Sequence, residues 1–145
     1  DWARLAPIIQ QVLDQSPETV RLVVKPLPAA DQQISWFAAS AALAAHAQGY
    51  FWDFRDLLFQ NEGALTATDL RDIAEEIGLD LPRYHRDLAS PAIQRLLVAG
   101  IAEAGSLGVT GTPTITINQK RLEDVHFDAL RNAVEQATPT PPSPQ

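Results

Sequence analysis

The sequence predicts an α/β fold in which an all-helical insertion interrupts a small sheet, and three observations predict it. Val20-Arg21-Leu22-Val23-Val24 is a β-branched run closed by Lys25-Pro26-Leu27-Pro28, the pattern of a mostly buried strand leaving into a loop. From Ile34 to Leu107 apolar residues recur at helical spacing, with helix starts and stops between them. After Gly108 the period returns to two, because Thr114 to Asn118 alternates β-branched residues and Thr112-Pro113 stands at its entrance.

In chain order, Leu5, Ile8, Ile9, Val12 and Leu13 give a first helix over Ala3 to Leu13, which Ser16-Pro17 ends. The strand at Val20 to Val24 follows. Ser35 to Gln48 is alanine-rich, and its small side chains permit close helix packing before Gly49 stops it. Phe51, Trp52, Phe54, Leu57, Leu58 and Phe59 form an aromatic helix face ended by Asn61-Glu62-Gly63. Thr66-Ala67-Thr68-Asp69 resembles a capping box ahead of Leu70, Ile73 and Ile77, and Gly78 closes that helix. Pro82 opens a short segment through Leu88, and Ser90-Pro91 reads as an N-cap with proline at the first helical position. Beyond the strand at Thr114 to Asn118, Asn118-Gln119-Lys120 is the expected turn and Arg121 to Val125 a return strand. Phe127 to Ala137 is the closing helix, and residues 138–145 form a Pro-rich tail.

The chain of 145 residues is 46% hydrophobic, enough for one domain with a real core. A formal charge of −7 argues against nucleic acid or an anionic membrane surface as partner. No apolar run reaches the ~18 residues that span a bilayer, so membrane insertion is not expected. The chain starts at Asp1 and has no methionine, which reads as a polypeptide whose upstream part is removed or left out. With no cysteine, disulfides, thiolate metal sites and thiol chemistry are closed to these residues.

The stretch that carries most information is Val109-Thr110-Gly111-Thr112-Pro113-Thr114, a turn that can hold a cis peptide beside an unpaired strand edge. Together with Ala3-Arg4-Leu5-Ala6-Pro7, Val20 to Pro28, and Ala44 to Phe59 with its Gln48-Gly49-Tyr50-Phe51-Trp52, it resembles the DsbA-like thiol–disulfide oxidoreductases. The resemblance covers Trp2 to Ala137 and implies a thioredoxin-like fold with a helical insertion between the second strand and the cis-proline strand. On that reading residues 1–137 form one domain, with 1–28 and 107–137 as its thioredoxin portion and 34–106 as the insertion. Trp2 then occupies the position of the family's resolving cysteine, and the nucleophilic cysteine and central first strand precede Asp1. Lacking that strand, the residues would leave two unpaired edges and would be poorly stable or borrow a strand in an oligomer. Gln119 and Asp124 stand at or near positions where such hairpins commonly carry glycine.

The family's dithiol chemistry depends on a thiolate at a helix N-terminus, where the dipole lowers its pKa. Here that helix end carries Asp1 and Trp2, so no catalytic residue and no cofactor is assigned. Trp2, Gly111, Thr112 and Pro113 are the candidate contacts for an extended polypeptide added as a further strand. His46, His85 and His126 have no metal-ligand spacing between them, and a helix surface or helix end accounts for each. His85-Arg86-Asp87-Leu88 matches a kinase tetrapeptide but lacks the accompanying asparagine and glycine-rich loop. The carboxylates of Asp53 to Asp56 and Asp69 to Glu76 alternate with core residues, as on a solvated helix face.

Three functions are therefore open to a chain of this pattern. One is DsbA-like thiol–disulfide exchange that is incomplete in these residues; the second is a redox-inactive module binding a polypeptide or partner protein. The third is a glutathione-binding relative of the kappa-class transferases and isomerases. A periplasmic or other extracytoplasmic location is implied by the resemblance alone.

Overall fold

The computed structural model describes residues 2–61 and 64–139, with the side chains of residues 2 and 3 left out. Asp1, Glu62, Gly63 and the tail from Thr140 lie outside the described residues, as does the Trp2 side chain. The chain divides into two compact units, residues 25–103 and the remainder.

The 25–103 unit is built on α2 (Gln33–His46). Ala39, Ala41, Ala42, Ala44 and Ala45 are all buried along it, together with Ser40. A helix buried on so many sides needs small side chains, which let α3 (Phe51–Gln60), α4 (Ala67–Glu76) and α5 (Leu81–Leu88) approach it closely. The neighbours supply the volume: Phe54, Leu70, Ile73, Tyr84, Ile93 and Leu97 complete the core, the last two from α6 (Pro91–Ser106).

Local chemistry sets the boundaries. Thr66 and Asp69 form the expected capping box: the Asp69 N–H donates to Thr66 Oγ1 at 3.2 Å, and the Thr66 N–H donates to Asp69 Oδ2 at 2.7 Å. The Thr66 hydroxyl and then its backbone N–H hold the Asp69 carboxyl below its ordinary pKa. At the other end Gly78 takes φ +81°, and the Leu79 N–H reaches back to the Ala74 carbonyl at 2.9 Å. A side chain at that φ would be strained, so glycine ends the helix there. Ser90 Oγ accepts the Ile93 N–H at 3.2 Å, with Pro91 opening α6 as its position predicts. Asp80 caps α5 by accepting the Arg83 N–H at 2.9 Å. The Gln48 amide brackets the Asp80 backbone from the end of α2, accepting its N–H at 2.9 Å and donating to its carbonyl at 3.2 Å.

The other unit packs α1 (Trp2–Gln15) against α7 (Phe127–Ala137), burying Leu5, Ile9, Val12, Leu130 and Val134. His126 caps α7, its Nδ1 accepting the Ala129 N–H at 3.2 Å. Against these helices lie Val20, Leu22, Ile115 and Ile117, each partly buried.

Two strand expectations are corrected. Val20 to Val24 is no strand: it alternates half-buried and exposed residues, yet joins no ladder among the described residues. A strand is defined by its hydrogen-bonded neighbour, and the sequence pattern reports only a surface suited to one. The cis-proline strand and its return are likewise shorter than Thr114 to Asn118 and Arg121 to Val125. The structure has β1 (Thr116–Ile117) and β2 (Lys120–Arg121), antiparallel in the register Thr116↔Arg121 and Ile117↔Lys120. Lys120 belongs to β2, so the turn is the two residues Asn118 and Gln119, at φ +46° and +67°.

That turn has the twist that suits a tight hairpin, but its second position favours glycine. Replacing Gln119 by glycine relieves the left-handed backbone, and Q119G should gain about 0.5–1 kcal/mol in urea denaturation. An unchanged midpoint would show that the turn carries no such strain.

Candidate functional site

The candidate site begins where α6 stops. Gly108 at φ +68° ends the helix, with the Val109 N–H bonded to the Ala104 carbonyl at 2.9 Å. The chain then leaves as an exposed loop through Thr110, Gly111, Thr112 and Pro113 before it turns into β1. The Thr112–Pro113 peptide bond is cis. Thr114 Oγ1 donates to the Gly111 carbonyl at 2.6 Å, folding the loop across that bond.

Two further contacts tie the loop's base. Leu122 N–H donates to the Ile115 carbonyl at 2.9 Å, extending the hairpin by one rung beyond β1 and β2. Arg121 Nη1 donates to the Gly108 carbonyl at 2.6 Å, while its Nε and Nη2 donate to Glu123 Oε1 at 3.2 and 2.9 Å.

The loop is suited to recognising backbone. None of the N–H groups of Thr110, Gly111, Thr112 or Thr114 donates to a backbone carbonyl among the described residues. No residue from Val109 to Asn118 is ionisable, in a chain of net charge −7. An exposed, uncharged strip with free N–H groups offers hydrogen bonds that any extended chain can complete, whatever its side chains.

The structure brings Gly111, Thr112 and Pro113 together at this edge. Trp2 opens α1, and its side chain lies outside the described residues. Sequence reasoning missed Arg121, which was read only as part of a return strand; its tie to Gly108 spans thirteen residues and leaves no local pattern.

Other candidate chemistry disperses. His46 meets the edge of Phe51 at 6.1 Å between ring centres, His85 meets Tyr84 at 5.4 Å, and His126 is a helix cap. Asp87 pairs with Arg83 one turn earlier on α5, Nε to Oδ2 3.5 Å, as expected of a helix face. Among the described residues, no three His, Asp or Glu side chains converge as metal ligands. A cavity of about 260 Å³ opens between α2, α4 and α5, floored by Leu70, Tyr84 and Leu88, and none of the candidate site residues lines it. Among the described residues no helix is long and apolar enough to cross a membrane.

Comparison with known proteins agrees with this arrangement. A thioredoxin-like oxidoreductase from Silicibacter pomeroyi DSS-3 superposes with a TM-score of 0.82 at 33% identity, covering 92% of this chain and 77% of that one. A periplasmic thioredoxin-like protein from Salmonella enterica serovar Typhimurium superposes with a TM-score of 0.65 at 21% identity, covering 92% of this chain and 74% of that one, and shares the fold. The Na(+)/H(+) antiporter NhaA 1 of Salinispora arenicola (strain CNS-205) is 34% identical over 133 residues, which is 90% of this chain and 20% of the antiporter. The chain thus spans about a fifth of the length of the curated relatives it matches. Residues 3–136 match the family model described as Thioredoxin. With its helical insertion, its Thr112-Pro113 loop and no cysteine in its sequence to carry the redox chemistry, the chain belongs to the thioredoxin family.

Proposed function

We propose that this domain grips an extended polypeptide at the Gly111-Thr112-Pro113 edge and serves DsbA-like thiol–disulfide exchange whose sulfur lies outside these residues. The observation that carries the reading is the exposed, uncharged loop from Thr110 to Pro113, whose backbone N–H groups are left open among the described residues. In such exchange a thiolate attacks one sulfur of a substrate disulfide, a mixed disulfide forms and the other sulfur leaves as thiolate. A second thiol then attacks the mixed disulfide and releases the reduced substrate. This chain supplies neither sulfur, so its own contribution is binding and orientation.

The extended Val20 to Val24 segment supports the same reading. Val20 and Leu22 rest on the α1–α7 core, and the segment pairs with no strand among the described residues, as one awaiting a neighbouring strand would. The likeness to Na(+)/H(+) antiporters, in which the matching part is only 20% of the length, favours carriage of the domain on a longer transport polypeptide. The periplasmic Salmonella protein of the same fold supports an extracytoplasmic position for it.

The test is insulin-disulfide reduction by the full natural polypeptide, with dithiothreitol as reductant. The full polypeptide should accelerate the reaction, and Thr112→Asp, which puts a charge on the neutral strip, should slow it about tenfold with its circular dichroism unchanged. No acceleration, or a T112D protein as fast as the wild type, rejects this reading. Protease treatment of spheroplasts should cleave the domain; cleavage confined to inverted vesicles would reject the extracytoplasmic position.

A further inference from the structure

We infer that Arg121 is a positioning residue whose guanidinium sets where the peptide-gripping edge stands. The inference rests on the reading of Gly111 to Pro113 as that edge. The loop between Gly108 and β1 has no backbone–backbone ladder of its own from Thr110 to Thr114 among the described residues. Backbone bonds hold only its two ends, Val109 to Ala104 and Leu122 to Ile115, so between them its placement rests on two side-chain bonds. Thr114 Oγ1 to the Gly111 carbonyl, 2.6 Å, shapes the loop internally. Arg121 Nη1 to the Gly108 carbonyl, 2.6 Å, fixes its start to the hairpin that holds its end.

The chemistry suits a guanidinium. Gly108 lies just past the C-terminus of α6, where helix carbonyls concentrate negative partial charge and favour a cation. The planar fork presents two separate faces of N–H groups: one donor serves the Gly108 carbonyl, while Nε and Nη2 serve Glu123. Glu123 therefore orients the group that orients the loop. Thr116 is the β1 partner of Arg121 in the register, so the same residue pins the first rung of the hairpin and the end of the helix. Losing the tie frees the loop's entrance to shift by the fraction of an ångström to which strand-like pairing is sensitive.

The test uses the full natural polypeptide and fluorescence anisotropy of a fluorescein-labelled ten-residue peptide of alternating valine and serine. Arg121→Met, which keeps an unbranched apolar stem and removes the donors, should weaken binding about tenfold. Arg121→Lys keeps one donor for the Gly108 carbonyl and should stay within about threefold of the wild type. Leu130→Val loosens the core on which the hairpin packs without touching either bond, so its melting temperature should fall while its affinity holds. An R121M protein that binds like the wild type overturns the inference. So does an R121K protein as weak as R121M, or an L130V protein that loses affinity in step with its stability, since either makes Arg121 a structural residue only. A wild-type protein that binds no peptide rejects the gripping edge itself, and the inference falls with it.

Discussion

Replacing Phe54 by alanine should cost about 3–5 kcal/mol, the range for truncating a buried aromatic. Phe54 is 0% exposed and shares its core with Ala41, Ala44 and Ala45, which are also fully buried. The size of the effect follows from the walls of the hole. Alanine has no rotamer with which to swing into vacated space, so a cavity opened against α2 stays open. Phe54→Leu, which retains most of the volume, should cost well under half as much. Urea denaturation followed by circular dichroism measures both. A loss of less than about 1.5 kcal/mol for F54A would mean that α3 collapses onto α2 and that the close packing of the alanines is not rigid.

The second large effect appears in alkali. Tyr84 is 1% exposed, and burial pushes its pKa from an ordinary 10.0 up to about 12. The unfolded chain releases this proton near pH 10, whereas the folded chain holds it until about pH 12. Stability from this group is therefore intact below pH 10 and lost as the pH rises through 12, by on the order of 2 kcal/mol in all. Tyr84→Phe should remove that slope. Among the described residues the hydroxyl reaches only the Leu70 carbonyl, at a long 3.4 Å, so at neutral pH the variant should lose no more than about 1 kcal/mol. Urea midpoints of both proteins between pH 8 and pH 12 decide it: parallel curves would show that Tyr84 is not the group that titrates.

The elements legible in the sequence are those whose cause is local. Thr66 and Asp69 sit three residues apart because each side chain reaches the other's backbone, and Gly78 marks a helix end because of its φ; both were readable as letters. The end of α6 was legible for the same reason, since Gly108 takes a left-handed φ where the helical period stops. Val20 to Val24 was misread because β-branched residues report fitness for a pleated surface, and the ladder belongs to another segment. The hairpin was overextended on the same ground: alternation ran on to Val125, while paired backbone ended at Leu122. Arg121 itself was invisible, because a tie between a strand and a helix end exists only once both are in place.

The alanines of α2 have one more consequence, and it concerns disorder. A buried leucine or methionine surrenders side-chain rotamers when a chain folds, whereas alanine has none to surrender. Five buried alanines therefore give this helix a central position for the entropy of its backbone alone. Each removes little apolar surface from water, and that modest gain is matched by a correspondingly small ordering cost. The freedom lost on folding the 25–103 unit falls instead on the larger side chains, Phe54, Leu70, Ile73 and Leu97, that close around it.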